Sequence, residues 1–146
     1  MQIVLQRVKS ASVVVEEQVV GSIETGYLLL VGIENTDTPQ IIEKNARKIA
    51  NFRVFEDQQG KMNLDILQAG GSILSVSQFT LCANMEKGNR PGFDQAALPQ
   101  MAVPLFDLFN QQLRSFGIKV ETGTFGAHME VSLVNDGPVT FIINHK

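Results

Sequence analysis

What the chain has little of excludes several chemistries. It holds one cysteine, Cys82, so no internal disulfide can form. A lone thiol fits a reducing compartment. The only imidazoles are His128 and His145. With Cys82 they share no paired spacing, so the three or four converging ligands of a zinc site are not indicated, and no metal or other cofactor is expected. No apolar run approaches the roughly 20 residues of a membrane helix. The longest, "YLLLVGI", has strand length. The opening "MQIVLQRVKS" lacks a long apolar stretch and carries Arg7 and Lys9 early, unlike a signal peptide. "GYLLLVG" and "QAGGS" match neither the dinucleotide nor the P-loop phosphate pattern. Positive charge is also short: the net charge is −3. That counts against a general DNA or RNA coat but leaves room for a small RNA footprint.

What is present is a globular composition. Hydrophobic residues make up 44% and charged residues 18% of 146 positions, enough for one domain with a proper core. A single soluble, cytoplasmic domain over 1–146 is expected. "QIVLQRV" (2–8) is β-rich, and 10–33 reads as a hairpin followed by a third strand. Glu-Glu-Gln is a poor two-residue turn signal, so the hairpin register stays open. Residues 36–55 have helical spacing at Ile42, Ala46, Ile49 and Ala50, with Asp37 or Thr38 as cap and Pro39 in the first turn. Lys44, Arg47 and Lys48 take the opposite face. A polar turn (56–63) and a strand (73–79) follow. Residues 82–97, with Lys87 and Arg90, read as a long surface loop, and such loops are often functional.

A second helix (98–117) carries the stripe Ala102, Leu105, Phe106, Phe109, Leu113 and Phe116. Three closing strands are expected at 118–125, 129–135 and 139–145. The fold class is therefore α/β: layered, mostly antiparallel, barrel-like sheets packed with two main helices, in the order β-β-β-α-β-α-β-β-β.

Few residues suggest chemistry on their own. Glu121, Glu130 and Asp136 are spread over different strands or turns, so nothing marks an acid pair. A Cys82–histidine pair has no motif support, and Cys82 reads as a small core residue. "SQFT" (77–80) ends an apolar strand just before the long loop. Thr80 could act as a nucleophile if a base were near. Alternatively, main-chain N–H groups here could form an oxyanion hole. "NDGPVTF" (135–141) breaks two apolar strands with Gly137-Pro138. It could be a simple turn. A cis bond would instead aim neighbouring carbonyls the same way.

Taken together, "QRV…ASV" (6–13), "KMNLDI", "QAGGSILSVSQFTL", "NRPGF" and "TGTFGAHMEVSLVNDGPVTF" resemble the D-aminoacyl-tRNA deacylases across essentially the whole chain. The resemblance implies a hydrolase of the ester joining a D-amino acid to the 3′-terminal adenosine of tRNA, active also on mischarged glycyl-tRNA. It implies no cofactor, no membrane and no DNA, and a homodimer with active sites at the interface. By the same resemblance Ser77, Gln78, Phe79 and Thr80 are the pocket segment, with the Phe79 and Thr80 N–H groups as oxyanion contacts. Met129 lies near the bound aminoacyl-adenosine. Gly137 and Pro138 form a Gly-cisPro chirality filter that enters the other subunit's site, and Arg7 supports its orientation. Attack by way of the tRNA 2′-hydroxyl and attack by Thr80 both stay open. Cys82 and His128 are given no role. The alternative function is a noncatalytic RNA-end or small-metabolite binding module.

Overall fold

The computed structural model describes residues 1–144 and 146; His145, named above as an imidazole and a strand end, lies outside the described residues. The elements are β1 (Gln2–Val15), β2 (Gln18–Ile23), β3 (Gly26–Gly32), α1 (Pro39–Asn51), β4 (Phe55–Glu56), β5 (Met62–Leu64), β6 (Ser72–Ser77), α2 (Pro99–Ser115), β7 (Val120–Thr122) and β8 (Glu130–Asn144). A short 3-10 helix, Phe79–Cys82, follows β6.

Most strand pairs are antiparallel: β1 with β2, β3 and β8, and β4 with β5. β3–β6 and β6–β7 are parallel, each joined by a connection that contains a helix. One path runs β2-β1-β3-β6-β7, and β8 folds back onto β1. The strand β1 is long enough to pair with three neighbours. That curls the sheet and gives it two apolar faces. On one, Ile3, Leu5, Tyr27 and Leu29 meet Ile42 and Ile49 of α1 and Phe106 and Phe109 of α2. On the other, Val8, Val13, Leu28, Leu74 and Val76 pack with Met129, Val131 and Leu133.

Several expectations are refined. The first two strands are one, β1, and Glu16-Glu17 does form the tight turn into β2. Both residues take positive φ, 49° and 65°, as a primed hairpin turn requires, although glutamate is a poor residue for it. Thr38 caps α1, accepting from the Ile41 N–H, while Asp37 is drawn to the Met1 ammonium and the Glu34 N–H. The polar turn at 56–63 is flanked by a small hairpin, β4–β5, too short to show alternation. The strand expected over 118–125 is only three residues long.

The two last strands are one continuous strand, β8, interrupted by a bulge. Gln6 pairs with Thr140 and Val8 with Asn135. A single β1 residue, Arg7, therefore lies opposite the four residues 136–139. The surplus chain is pushed outward, with Gly137 and Pro138 exposed at its crest and the bond between them cis.

Candidate active site

The parallel pairing of β3 with β6 carries Ser77 to the end of the sheet beside Val31. There the chain turns. The Gln78 N–H still donates to the Val31 carbonyl at 2.8 Å, and the 3-10 helix begins at Phe79. This tight return needs Gly32 beneath it. A Cβ at Gly32 would sit 2.9 Å from the Cys82 Sγ and 3.2 Å from the Gln78 carbonyl oxygen. The first N–H groups of a helix have no intrahelical acceptor. Among the described residues, the Phe79 and Thr80 N–H groups also find no other protein acceptor.

Two adjoining hollows meet at this turn. The smaller, about 180 Å³, is lined by Ser77, Gln78, Phe79, Thr80, Phe125, Gly126, Ala127 and Met129. The larger, about 330 Å³ and largely apolar, shares Ser77, Phe79, Phe125 and Gly126 and adds Phe93, Leu98 and Ala102 among others. Gly123 clears the way for Met129, because a Cβ there would meet the Met129 Sδ at 2.6 Å. Phe79 stays 56% exposed, its ring edge-on to Phe93 at 5.0 Å. An aromatic left this open beside a hollow is available to a ligand's flat group.

The polar chemistry is spare. The Thr80 hydroxyl accepts from Gln78 Nε2 at 3.1 Å, and among the described residues no ionisable side chain lines the smaller hollow. Cys82 lies behind the turn, 3% exposed, with its Sγ toward the Ile33 carbonyl. Burial, reinforced by the Glu34 charge, pushes its thiol up to about 11. A thiol that basic is a poor nucleophile near neutrality.

The remaining site residues gather elsewhere. Arg7 is 4% exposed beneath the β8 bulge. Its Nε donates to the Asp136 carbonyl at 3.1 Å and its Nη1 to the Val54 carbonyl at 2.7 Å. The Asp136 and Glu56 carboxylates stand farther off, at 3.6 and 3.8 Å. Asn135 closes the bulge from the other side. Its Oδ1 accepts the Val139 N–H at 2.7 Å and its Nδ2 donates to the Thr140 Oγ1 at 2.9 Å. Gly137 has φ +146°, and a Cβ there would lie 2.5 Å from the Val139 Cγ2. The crest is thus fixed from beneath and exposed above.

The structure brings Ser77, Gln78, Phe79, Thr80 and Met129 together and sets Arg7, Gly137 and Pro138 apart from them. Met129 immediately precedes β8, and Gly137 lies seven strand residues beyond Glu130. That is roughly 23 Å along an extended chain. A protomer's own bulge does not line its own pocket. Sequence reasoning missed Phe93, Phe125 and Gly126 as walls, and Asn135 as the clasp of the bulge. Asn135 carried a signal, since an Asx residue beside Gly-Pro commonly ties down a turn.

A family profile described as D-Tyr-tRNA(Tyr) deacylase matches residues 4–144. The chain is similar to the D-aminoacyl-tRNA deacylase of Brevibacillus brevis (strain 47 / JCM 6285 / NBRC 100599), 56% identical over 98% of this chain and 99% of that one. It is also similar to the D-aminoacyl-tRNA deacylase of Exiguobacterium sp. (strain ATCC BAA-1283 / AT1b), 57% identical over 98% of this chain and 97% of that one. Among solved structures it resembles one described as c-Myc DNA Unwinding Element Binding Protein, with a TM-score of 0.92, 40% identity, and coverage of 99% of this chain and 98% of that one. A second, described as a probable eukaryotic D-amino acid tRNA deacylase, shares the fold at a TM-score of 0.84 with 16% identity, over 97% of each chain. With the profile matched from end to end of the fold and close relatives of the same length, the chain belongs to the D-Tyr-tRNA(Tyr) deacylase family.

Proposed function

We propose that the chain hydrolyses the ester bond of D-aminoacyl-tRNA, releasing the D-amino acid and tRNA, that it also clears mischarged glycyl-tRNA, and that it spares L-aminoacyl-tRNA. The observation that carries the reading is that the Phe79 and Thr80 N–H groups, without a protein acceptor among the described residues, belong to two residues that line a hollow with no ionisable wall among those residues. Ester hydrolysis puts negative charge on the carbonyl oxygen in the transition state. Fixed main-chain donors stabilise that charge without reorganising. Met129 and the exposed Phe79 ring offer apolar contact for the terminal adenosine. The attacking oxygen comes from water, assisted by the tRNA 2′-hydroxyl. Among the described residues the side-chain partner of the Thr80 hydroxyl is the Gln78 amide, which cannot serve as a base.

Discrimination falls to Gly137 and Pro138. Their exposed crest, held by Arg7 and Asn135, is rigid and presents main chain rather than a side-chain pocket. Backbone that leaves no room for an L side chain accepts many D-amino acids, and glycine with them, whereas a pocket of side-chain hydrogen bonds would choose among amino acids. Gly137 and Pro138 do not line the hollows of their own chain, which supports the filter in trans that the family resemblance implies: in a homodimer the bulge of one copy completes the pocket of the other.

A second reading, a noncatalytic RNA-end or small-metabolite binding module, draws support from the solved relative described by its binding to a DNA element. Deacylation separates the two. Purified protein is expected to release D-Tyr from D-Tyr-tRNA and to leave L-Tyr-tRNA intact. Binding of either RNA without release of amino acid supports the second reading, and equal rates on both esters remove the chirality claim.

A further inference from the structure

The loop after the 3-10 helix is pinned at its root and projects beside the pocket mouth. At its root Asn84 and Gly92 exchange two main-chain hydrogen bonds, each 2.8 Å. Just beyond, Phe93 packs against Phe79, and Asn35 holds the turn that follows through the Asp94 and Gln95 carbonyls. The tip, residues 85–91, is exposed throughout. Lys87 and Arg90 stand on it without an ion pair or side-chain hydrogen bond among the described residues. Met85 is 72% exposed beside them. The one acid of the tip, Glu86, follows the Asn84 turn, its N–H given to the Asn84 Oδ1. Two free cations and an open apolar side chain on an arm pinned at its root suit single-stranded nucleic acid, where phosphates meet charge and bases meet flat or soft surfaces.

We infer that this loop grips the single-stranded 3′ end of the tRNA, with Lys87 and Arg90 on its phosphates, while the Phe79 hollow takes the terminal ester. The inference rests on the deacylase reading and adds the surface that carries affinity for RNA. The rival basic surface, Lys44, Arg47 and Lys48 on α1, is already engaged in part: Lys44 bonds the Lys146 carbonyl and Lys48 lies over the Phe52 ring. Among the described residues Lys87 and Arg90 have no such ties.

The test compares Lys87→Gln/Arg90→Gln with Lys44→Gln/Arg47→Gln/Lys48→Gln, each on full D-Tyr-tRNA and on the minimal ester 3′-D-tyrosyl-adenosine. The loop variant is expected to raise KM for the full tRNA severalfold with kcat kept, and to hydrolyse the minimal ester like the wild type. Its log–log salt slope on tRNA is expected to flatten by about 1.4, the share of two single-strand phosphates. An unchanged KM and slope would overturn the inference, as would a loss seen only in the helix variant. A loop variant slowed equally on the minimal ester would also overturn it, because the loop would then act on the pocket. A wild type inert on both esters would instead remove the deacylase reading beneath it.

Discussion

Replacing Arg7 with methionine keeps an unbranched apolar stem and removes the guanidinium with its charge. The structure says which of its contacts matter. Its two carboxylate neighbours are 3.6 and 3.8 Å away and exposed, 39% for Asp136 and 58% for Glu56. Pairs that open to water contribute about 0–1 kcal/mol each. The main-chain carbonyls of Asp136 and Val54 are different: both accept from a buried guanidinium at hydrogen-bond distance. Such charge-assisted bonds contribute roughly 1.5–3 kcal/mol each, and part is regained where a carbonyl can be hydrated. Arg7→Met is therefore expected to cost about 2–4 kcal/mol in urea unfolding, whereas Glu56→Gln should cost less than about 1 kcal/mol. Beyond stability, freeing the Asp136 carbonyl releases the crest that follows it. D-Tyr-tRNA turnover should fall even at temperatures where Arg7→Met stays folded. An Arg7→Met protein no less stable than Glu56→Gln, with wild-type turnover, would refute the assignment of Arg7 as the support of the bulge.

Other outcomes follow from the same geometry. Gly137→Ala, forced to place a Cβ 2.5 Å from the Val139 Cγ2 at a φ of +146°, should lose most turnover of D-Tyr-tRNA; an active variant would show that the crest tolerates a shift. Thr80→Ala should keep substantial activity, since the contributing group is its N–H, and complete loss with the fold intact would make the hydroxyl the nucleophile. With its thiol pushed up to about 11, Cys82 should escape iodoacetamide at pH 8, where only roughly one thiol in a thousand is ionised; rapid inactivation would restore a cysteine mechanism.

Glu34 gives a pH test. Burial acts to raise its carboxyl, but hydrogen bonds from the Met1 ammonium and Gln2, with the ammonium charge, outweigh it and hold the group below the usual carboxylate range. A depressed folded value means stability that is complete above the unfolded value of about 4.3 and lost as pH falls through the folded one. Glu34→Gln should therefore flatten the decline in stability between about pH 5 and pH 3 seen in urea melts. Parallel curves for variant and wild type would contradict this.

Much of the helix-on-sheet half was legible in the sequence, because its signals are periodic and local. Ile42, Ala46 and Ile49 on α1 and the phenylalanine stripe of α2 repeat at helical spacing, and those faces form the core with β1 and β3. The hairpin turn was not, because Glu16 and Glu17 take a conformation that local preference disfavours and strand pairing on both sides enforces. Gly137-Pro138 was visible as an interruption, but not as a bulge inside one strand. That distinction depends on β1, nearly 130 residues earlier in the chain, whose Arg7 faces four residues of β8. The SQFT turn was recognisable through its family resemblance, and its position at the end of β6 was foreseen. The walls Phe93 and Phe125 were not, since they reach the hollow from two loops that only the packing of β6, α2 and β7 brings together.

The central claim is that the bulge of one copy completes the pocket of another, and mixed dimers test it most directly. One chain carries Gly137→Ala. The other carries Phe79→Pro, which deletes an N–H of the pocket at the first position of a helix, where proline is tolerated. Each homodimer should be inactive on D-Tyr-tRNA. After exchange of subunits, half of the dimers are mixed and each holds one intact site, so activity should return to about a quarter of the wild type. Mixtures that stay as inactive as the separate variants would contradict a filter shared between two chains.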